Sequence, residues 1–402
     1  MKQYELNPES RMARRYYTPW RSRELLDQQY QEGVPEEERA RLFRERAEME
    51  KQYIPEPSGY TVYFGELHGH SCLSDGRPTP DEYYRHLRDV AKFDFGTLTD
   101  HTHGGIGHDT LLGRQFEVLR EAAIRYNEPG KFTTLLAYEI EADPYYCNMV
   151  VYHDGFGGEV EKSKVPGEYT AEELDALLKR GDRIAVPHDT YMLAVGADLE
   201  TIPAPLFSPL IQLYSRGNSC EYFGNPQFDW NDSFMCEGGF WHDALKRGAR
   251  MGVIGGSDDH GLTNGMILED RKGLSRFPGI TGVLAKENTN KAIFEAIKAR
   301  RCYCFMGGRM YIDFRVNGHV MGEEFASEGA RYIYYKVSAD EPVNKVTLVK
   351  NCRDYIVTKQ SEFPIIDYRQ EQETDCYYLR VELEDGRCGW TSPIWVNGNP
   401  LP

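Results

Sequence analysis

The sequence VYFGELHGHSCLSDG at residues 62–76 joins an apolar run to a group of polar side chains. The run over 62–67 predicts a buried strand, and His68, Gly69 and His70 follow it directly, with Asp75 shortly after. Residues i and i+2 of an extended chain point to the same side, so both imidazoles can face one metal ion while Gly69 adds no bulk between them. The stretch therefore predicts metal ligands at the end of a strand.

Four later stretches repeat this plan of an apolar run that ends in histidine or a carboxylate. They are FGTLTDHTHGG at 95–105, LLAYEI at 135–140, IAVPHDT at 184–190 and VIGGSDDHG at 253–261. Imidazole together with carboxylate is the ligand mix of zinc, manganese and iron sites, and carboxylates can bridge two ions. The candidate metal ligands are His68, His70, Asp75, His101, Glu139, His153, His188, Asp258 and His260.

Single histidines in these stretches have a second interpretation. His103, His153 and His188 each also fit a buried side chain with satisfied hydrogen bonds, and for each of them that alternative stays open. Of the eleven histidines, however, the seven at 68, 70, 101, 103, 153, 188 and 260 lie at or beside predicted strand ends, which packing alone explains poorly. Asp100, next to a candidate ligand, is expected to orient a ligand ring.

Between residues 60 and 307, apolar runs alternate with amphipathic helix patterns, which is typical of parallel strands joined by crossover helices. The pattern predicts an α/β fold, either a barrel or a doubly wound sheet. In both, side chains from many strands converge where the carboxyl ends of the strands meet. The predicted strands cover 62–67, 95–99, 133–140, 149–153, 184–187, 210–214, 251–255 and 280–284, and the predicted helices cover 80–91, 171–179 and 290–300.

Both ends of the chain differ from this central part. Residues 1–57 are rich in Arg, Glu and Gln, and 35–51 predict a highly charged helix, so we expect a helical N-terminal arm. Residues 308–402 show strand patterns separated by turn signals without intervening helices, which predicts a C-terminal β-sandwich-like module. The barrel-like domain is expected to cover 58–307.

Composition narrows the class of protein. The 402 residues include 63 acidic and 47 basic side chains, a net charge of −16, which disfavours binding to nucleic acid or to anionic membranes. Nine cysteines without a CxxC pair are typical of reduced thiols. We find neither a signal-peptide pattern nor a long apolar run, so a cytoplasmic enzyme is the expectation.

The ordered motifs resemble the PHP (polymerase and histidinol phosphatase) superfamily of metal-dependent phosphoesterases. The order is HxH, TDH, a strand-borne Glu, PH and DxH, within about residues 60–265. The stretches SDG, AYE, YSRGNSCE, GSDDHG and SPIWV resemble more closely the branch catalogued as DUF3604. The resemblance implies a distorted (β/α)7 PHP-type barrel with two or three divalent ions (Mn, Zn or Fe) at its mouth. Two positions depart from the family's pattern. Asp75 lies where the family often has a histidine, and His153 is the only candidate in this chain for the histidine that binds a third metal ion.

The ligands and the resemblance together suggest a metal-dependent hydrolase of a small organic phosphate, either a monoester or a diester. Two adjacent cations can generate a metal-bridging hydroxide and neutralise phosphoryl oxygens. Glu139 and Asp258 are expected to act as shared catalytic carboxylates. Arg216 is expected to clamp the phosphate, ahead of Arg77 and Arg114.

Other functions stay open. A metal hydroxide attacks amides, lactones and carboxylic esters equally well, and a catalytically silent metal-binding scaffold is the non-enzymatic alternative. A nuclease is disfavoured by the acidic charge. The expected partner is a small-molecule phosphate ester, with no nucleic acid and no membrane, and the oligomeric state is left open, a homo-oligomer being one option.

Overall fold

The structure of the chain is a computed structural model. The structure describes residues 58–102, 111, 113–142, 145–161, 169–192, 196–215, 218–227, 237–264, 268–269, 275–368 and 370–398. The predicted N-terminal arm at 1–57 lies outside these residues. Among the described residues, no helix is long and apolar enough to cross a membrane.

The part of the chain that precedes residue 307 contains twelve described strands and five described α-helices. The strands are β1 Thr61–Glu66, β2 Phe95–Gly96, β3 Thr133–Thr134, β4 Ala137–Ala142, β5 Tyr146–His153, β6 Arg183–His188, β7 Leu210–Tyr214, β8 Gly252–Gly255, β9 Leu268–Glu269, β10 Ser275–Arg276, β11 Gly279–Ala285 and β12 Cys302–Met306. The helices are α1 Pro80–Arg85, which continues as a π-helical turn over His86–Val90, α2 Arg114–Tyr126, α3 Ala171–Lys179, α4 Trp241–Lys246 and α5 Asn290–Lys298, with a 3₁₀ turn at Ala204–Leu206.

Strand pairing in this part is mixed, so the fold is a mixed α/β structure with one large sheet and few helices. β1 pairs in parallel with β2, and β2 with β3, whereas β11 is antiparallel to both β1 and β12. β4, β5 and β6 form an antiparallel sheet, and β7 and β8 a parallel pair. The predicted regular alternation of parallel strands and helices is wrong for β5. Only eight residues separate the predicted strands 133–140 and 149–153, too few for a crossover helix, which needs about a dozen or more.

Neighbouring strands nevertheless bring the polar strand ends together. β6 lies beside β7, and β8 lies beside β11 and β12. Two isolated parallel bridges join the segments after the strands, Gly69 with Asp259 and His101 with Glu139. The segments that follow β1, β2 and β8 therefore meet at one place, next to β4.

An apolar core between these strands and α5 supports the backbone near the site. It contains Leu67, Ile184 and Ile254 from three strand regions, all at most 3% exposed, packed with Ile293 and Ile297 of α5. Burying each such side chain stabilises the fold by about 1.5–3 kcal/mol. The backbone that carries the polar strand ends is thereby held on a packed core.

The C-terminal strands continue the large sheet. Their bounds are β13 Met310–Val316, β14 His319–Val320, β15 Glu324–Ala326, β16 Arg331–Ala339, β17 Val343–Lys350, β18 Arg353–Thr358, β19 Glu362–Asp367, β20 Thr374–Leu383, β21 Cys388–Thr391 and β22 Ile394–Asn397. β21 pairs with β12, so one sheet runs in the order β15-β22-β20-β21-β12-β11-β1-β2-β3, with β17 and β18 attached to β20. A second sheet has the order β14-β13-β16-β19. The predicted boundary after residue 307 is thus crossed by a continuous sheet, and the division into separate domains stays a prediction.

Candidate metal centre

His68 and His70 follow β1 and project to the same side. Their Nε2 atoms lie 3.2 Å apart, and both side chains are fully buried. Gly69 is required between them because an added Cβ would lie 1.8 Å from the hydroxyl oxygen of Tyr83. The glycine therefore lets the aromatic side chain close the space behind the two imidazoles.

Four side chains, which we call the inner cluster, converge on one point: His68, His70, Glu139 and Asp258. Glu139 Oε2 lies 3.2 Å from His68 Nε2 and 3.4 Å from His70 Nε2. Asp258 Oδ1 lies 3.3 Å and 3.0 Å from the same two nitrogens. Ligand atoms about 2.1 Å from a tetrahedral ion are about 3.4 Å apart, so the spacings of 3.0–3.4 Å between the two imidazoles and each carboxylate are those of a divalent-cation site.

Three further side chains, which we call the outer cluster, adjoin the inner one: Asp75, His101 and His260. Asp75 Oδ1 lies 3.5 Å from His101 Nε2, and its Oδ2 lies 3.1 Å from His260 Nε2. His70 joins this group as well, since its Nδ1 lies 3.7 Å from Asp75 and makes no hydrogen bond. The side chains of the outer cluster are 13–36% exposed, so this group faces solvent.

Glu139 links the two clusters. Its Oε2 lies 3.5 Å from His101 Nδ1 of the outer cluster, and its Oε1 lies 3.0 Å from His188 Nε2. His188 ends β6, and its ring centroid is 4.4 Å from that of His68. One carboxylate, 1% exposed, is thus surrounded by four imidazoles from three segments of the chain.

Neighbouring charges shift the pKa values of the ionisable groups in the centre. Burial opposes ionisation of Glu139, yet His188 and His101 hold the pKa of its carboxyl well below the ordinary value. Burial likewise disfavours the charged form of His260, but Asp75 and Asp258 raise its pKa to about 9. A cation that binds here replaces protons on these imidazoles, so metal binding must release protons.

Comparison with known proteins gives distant relatives. An uncharacterized protein of Chlamydia pneumoniae is 24% identical over 375 residues, which cover 85% of this chain. One of Chlamydia muridarum is 25% identical over 374 residues, 84% of this chain. The chain spans 58% of the length of both relatives. No family model matches the chain.

Two solved structures are similar to the chain. A two-domain protein from Bacteroides vulgatus, containing a predicted PHP-like metal-dependent phosphoesterase, aligns with a TM-score of 0.42 and 16% identity over 86% of this chain and 97% of its own. The fibronectin(III)-like modules of Clostridium thermocellum CbhA align with a TM-score of 0.20 and 16% identity over 23% of this chain and 99% of their own.

Most of the predicted ligands lie together in the structure. The residues found in contact are His68, His70, Asp75, His101, Glu139, His188, Asp258 and His260. Arg216, the predicted clamp, and His103 lie outside the described residues. Arg77 and Arg114 are exposed, and the backbone N–H of Arg77 donates to the carbonyl of His260, so this arginine lies beside the outer cluster.

His153 does not join the clusters, which corrects the prediction that it is a metal ligand. Because β5 is antiparallel to β6, His153 pairs with Arg183, whereas His188 pairs with Asn148 at the other end of the strand pair. The ring of His153 instead packs 5.6 Å from the ring of Tyr138. The apolar run and the strand-end position were the same as for a ligand, but the strand direction was reversed.

Asp100 has a different task from the predicted one. Its carboxylate accepts hydrogen bonds from the backbone and hydroxyl of Ser71, both at 2.8 Å, and from the hydroxyl of Ser74 at 2.7 Å. Asp100 therefore fixes the loop that leads to Asp75, and these contacts do not orient a ligand ring.

Two buried side chains that sequence reasoning missed support the inner cluster. Gln212 of β7 accepts a hydrogen bond from His68 Nδ1 at 2.8 Å, which leaves Nε2 directed at the cluster. Glu66 accepts from the backbone of His68, from the backbone and hydroxyl of Ser257, and from the amide of Asn264. Both are polar residues inside otherwise apolar strand runs, and this pattern is the sequence feature that could have indicated them.

Replacing Gln212 is expected to change metal affinity in a direction set by the new side chain. Gln212→Ala removes the acceptor that orients His68, and affinity should fall about 10–100-fold. Gln212→Glu retains an acceptor and makes the imidazole a stronger donor to the metal, so affinity should be at least that of the parent. Competition with a chelating dye measures both values, and equal affinity for the alanine variant and the parent would show that Gln212 has no orienting role.

His153 is expected to weaken the fold in acid without affecting metal content. Burial and then the nearby Arg183 lower its pKa from 6.5 to about 4, with Asp182 opposing this and Arg120 and Arg180 adding to it. Below pH 6.5 the imidazole of His153 binds a proton in the unfolded chain but not in the folded chain. The free energy of unfolding therefore falls by up to about 3 kcal/mol between pH 6.5 and 4.

The variant His153→Gln tests this. Denaturant unfolding at several pH values should show a flatter acid slope for the variant, and elemental analysis should show the same metal content as in the parent. A loss of metal in His153→Gln would reinstate His153 as a ligand.

Proposed function

We propose that the protein is a metal-dependent hydrolase of a small organic phosphate ester, related to the PHP phosphoesterases. The observation that carries the proposal is the pair of adjoining clusters that share His70 and are linked by Glu139. Two divalent ions held there would activate a water molecule and neutralise phosphoryl oxygens. The manganese, zinc and iron class fits the mixture of imidazole and carboxylate.

The burial of the ligand residues indicates which of them would hold each ion and which would face the substrate. His68, His70 and Asp258 would hold the inner ion, and Asp75, His101 and His260 the outer one. Inner-cluster atoms are closed off except at Asp258, which is 32% exposed, and His260 is 36% exposed, so these two border the mouth. Substrate would therefore approach the outer cluster, and Glu139 would fix the spacing between the two groups.

The charge of the loaded centre favours an anionic substrate. Two divalent ions bring four positive charges against the three carboxylates of Asp75, Glu139 and Asp258, so the centre carries a net charge of about +1. That local charge lies within a chain whose net charge is −16. A small phosphate ester fits this local positive charge, whereas a long polyanion would be repelled by the negative charge of the rest of the surface. Arg216 remains proposed as an additional clamp.

A substrate panel tests the proposal. Protein loaded with manganese, zinc or iron would be assayed with nitrophenyl phosphate, bis-nitrophenyl phosphate and nitrophenyl carboxylate esters, with His70→Ala as the inactive control. Turnover of a phosphate substrate that is lost in the variant supports the proposal. Turnover confined to the carboxylate esters would assign hydrolysis at carbon, and bound metal without turnover of any substrate in the panel would favour a scaffold.

A further inference from the structure

A buried lysine lies between the two C-terminal sheets, far along the chain from the metal ligands. Lys350 ends β17 and is 1% exposed at its side chain. Its Nζ lies 2.7 Å from Asp367 Oδ2 and 3.3 Å from Asp375 Oδ2, and both carboxylates are fully buried. β17 and β20 belong to the large sheet and β19 to the four-stranded one, so the lysine and the two aspartates meet between the sheets.

Two tyrosines complete this pocket. The rings of Tyr355 and Tyr377 lie 5.3 Å and 5.4 Å from the lysine Nζ. Tyr355 donates a hydrogen bond to Asp367 Oδ1 at 2.9 Å. The hydroxyl of Tyr377 lies 2.7 Å from Asp367 Oδ2 and 3.4 Å from Asp375 Oδ2, so it connects the two carboxyl groups.

Asp375 is held in place from the other side. Its Oδ1 accepts hydrogen bonds from the amide of Asn351 at 2.7 Å and from the backbone of Gln372 at 3.1 Å, and its Oδ2 accepts from the backbone of Glu371 at 3.1 Å. These donors fix the carboxylate of Asp375, and the side chain of Glu371 also approaches the lysine, with its Oε1 3.7 Å from Nζ. Asp375 is therefore oriented to exchange a proton with Lys350 and Tyr377.

The pocket has the parts of an amide-forming site. One ammonium faces two fully buried carboxylates, with the partly exposed carboxylate of Glu371 at 3.7 Å, an arrangement in which desolvation of the buried charges is costly. The amine and the carboxyl group are held in contact, which gives them a high effective concentration. We propose that this pocket forms an intramolecular isopeptide bond between Lys350 Nζ and Asp367 Cγ.

The proposed reaction balances within the pocket. The Lys350 ammonium gives one proton to Asp367, and the resulting amine attacks Cγ while Tyr355 stabilises the charge that develops on Oδ1. Asp375 takes a second proton from the nitrogen and returns it, through Tyr377, to the departing oxygen. One C–N bond forms, one C–O bond breaks and one water molecule leaves, while Asp375 and Tyr377 return to their starting states. The product joins the two C-terminal sheets covalently.

Mass spectrometry of the full chain tests the bond. We expect an intact mass lower by one water molecule than the sequence mass, and a tryptic digest with a branched peptide that joins Lys350 to Asp367. Lys350→Met should have its full sequence mass. Asp375→Asn, which keeps the shape but cannot accept the proton, should contain mostly unlinked chain.

The parent protein alone is sufficient to overturn the proposal, whether or not the variants fold. A folded parent chain with its full sequence mass would show that Lys350 forms ion pairs only. A water loss located by tandem fragmentation at any other residue would do the same. The bond does not depend on the metal centre, so chelator-treated protein should retain it, and an inactive enzyme would leave it unaffected.

Discussion

Replacing Glu139 with glutamine is expected to abolish metal-dependent turnover, with a fall in rate on the order of a thousandfold. The physical reason is the position of this carboxylate, which contacts His68, His70 and His101 through one oxygen and His188 through the other. An amide of the same shape lacks the negative charge that holds two cations near each other. The loss of several kcal/mol of transition-state stabilisation gives the expected rate effect. Steady-state assays on the phosphate substrate identified by the panel measure it.

The control for this variant is Glu172→Gln, the same chemical change at an exposed position in the first turn of α3. It should leave both the rate and the metal content unchanged. If Glu139→Gln retained more than about a tenth of the parent rate, the shared carboxylate would be unnecessary and the two clusters would not act together.

Asp75→Asn is expected to remove one ion and to leave the other. Asp75 lies near three imidazoles, those of His70, His101 and His260, and these hold its pKa well below the ordinary value although burial opposes this. Without its charge the outer cluster retains two terminal histidines, whereas the inner cluster keeps all of its own carboxylates. Metal content should fall from about two ions per chain to about one, with a fall in rate on the order of a hundredfold.

Elemental analysis and activity, measured on the same samples, check this expectation. Asp81→Asn is the matched control because Asp81 pairs with Arg125 at the exposed start of α1. Parent-like metal content in Asp75→Asn would show that the outer cluster does not bind an ion. A loss of both ions would show that the clusters form a single cooperative site.

Sequence periodicity indicated where the strands lie better than how they pair. The runs before His68, Glu139 and His188 are strands or strand ends, because buried apolar stretches are readable locally. The direction of β5 depends on a short connection between two strands, which local patterns do not encode. For that reason His153 resembled a ligand in the sequence and lies at the wrong end of its strand.

The site likewise contains contacts that local sequence patterns predict and contacts that depend on residues far apart in the chain. The side-by-side placement of His68 and His70 follows from the two-residue repeat of an extended chain. The contact between His68 and Gln212 joins residues 144 positions apart and depends on the order of the strands. The buried pocket of Lys350 is a third case, since its partners come from β18, β19 and β20 and no spacing rule connects them.

Anomalous X-ray diffraction from crystals of protein loaded with manganese or zinc tests the central claim most directly. The ligand geometry predicts one anomalous peak among His68, His70, Glu139 and Asp258, and a second beside Asp75, His101 and His260. Diffraction that shows ordered side chains at both clusters, with no anomalous peak at either, would contradict the metal centre and the hydrolase proposed from it.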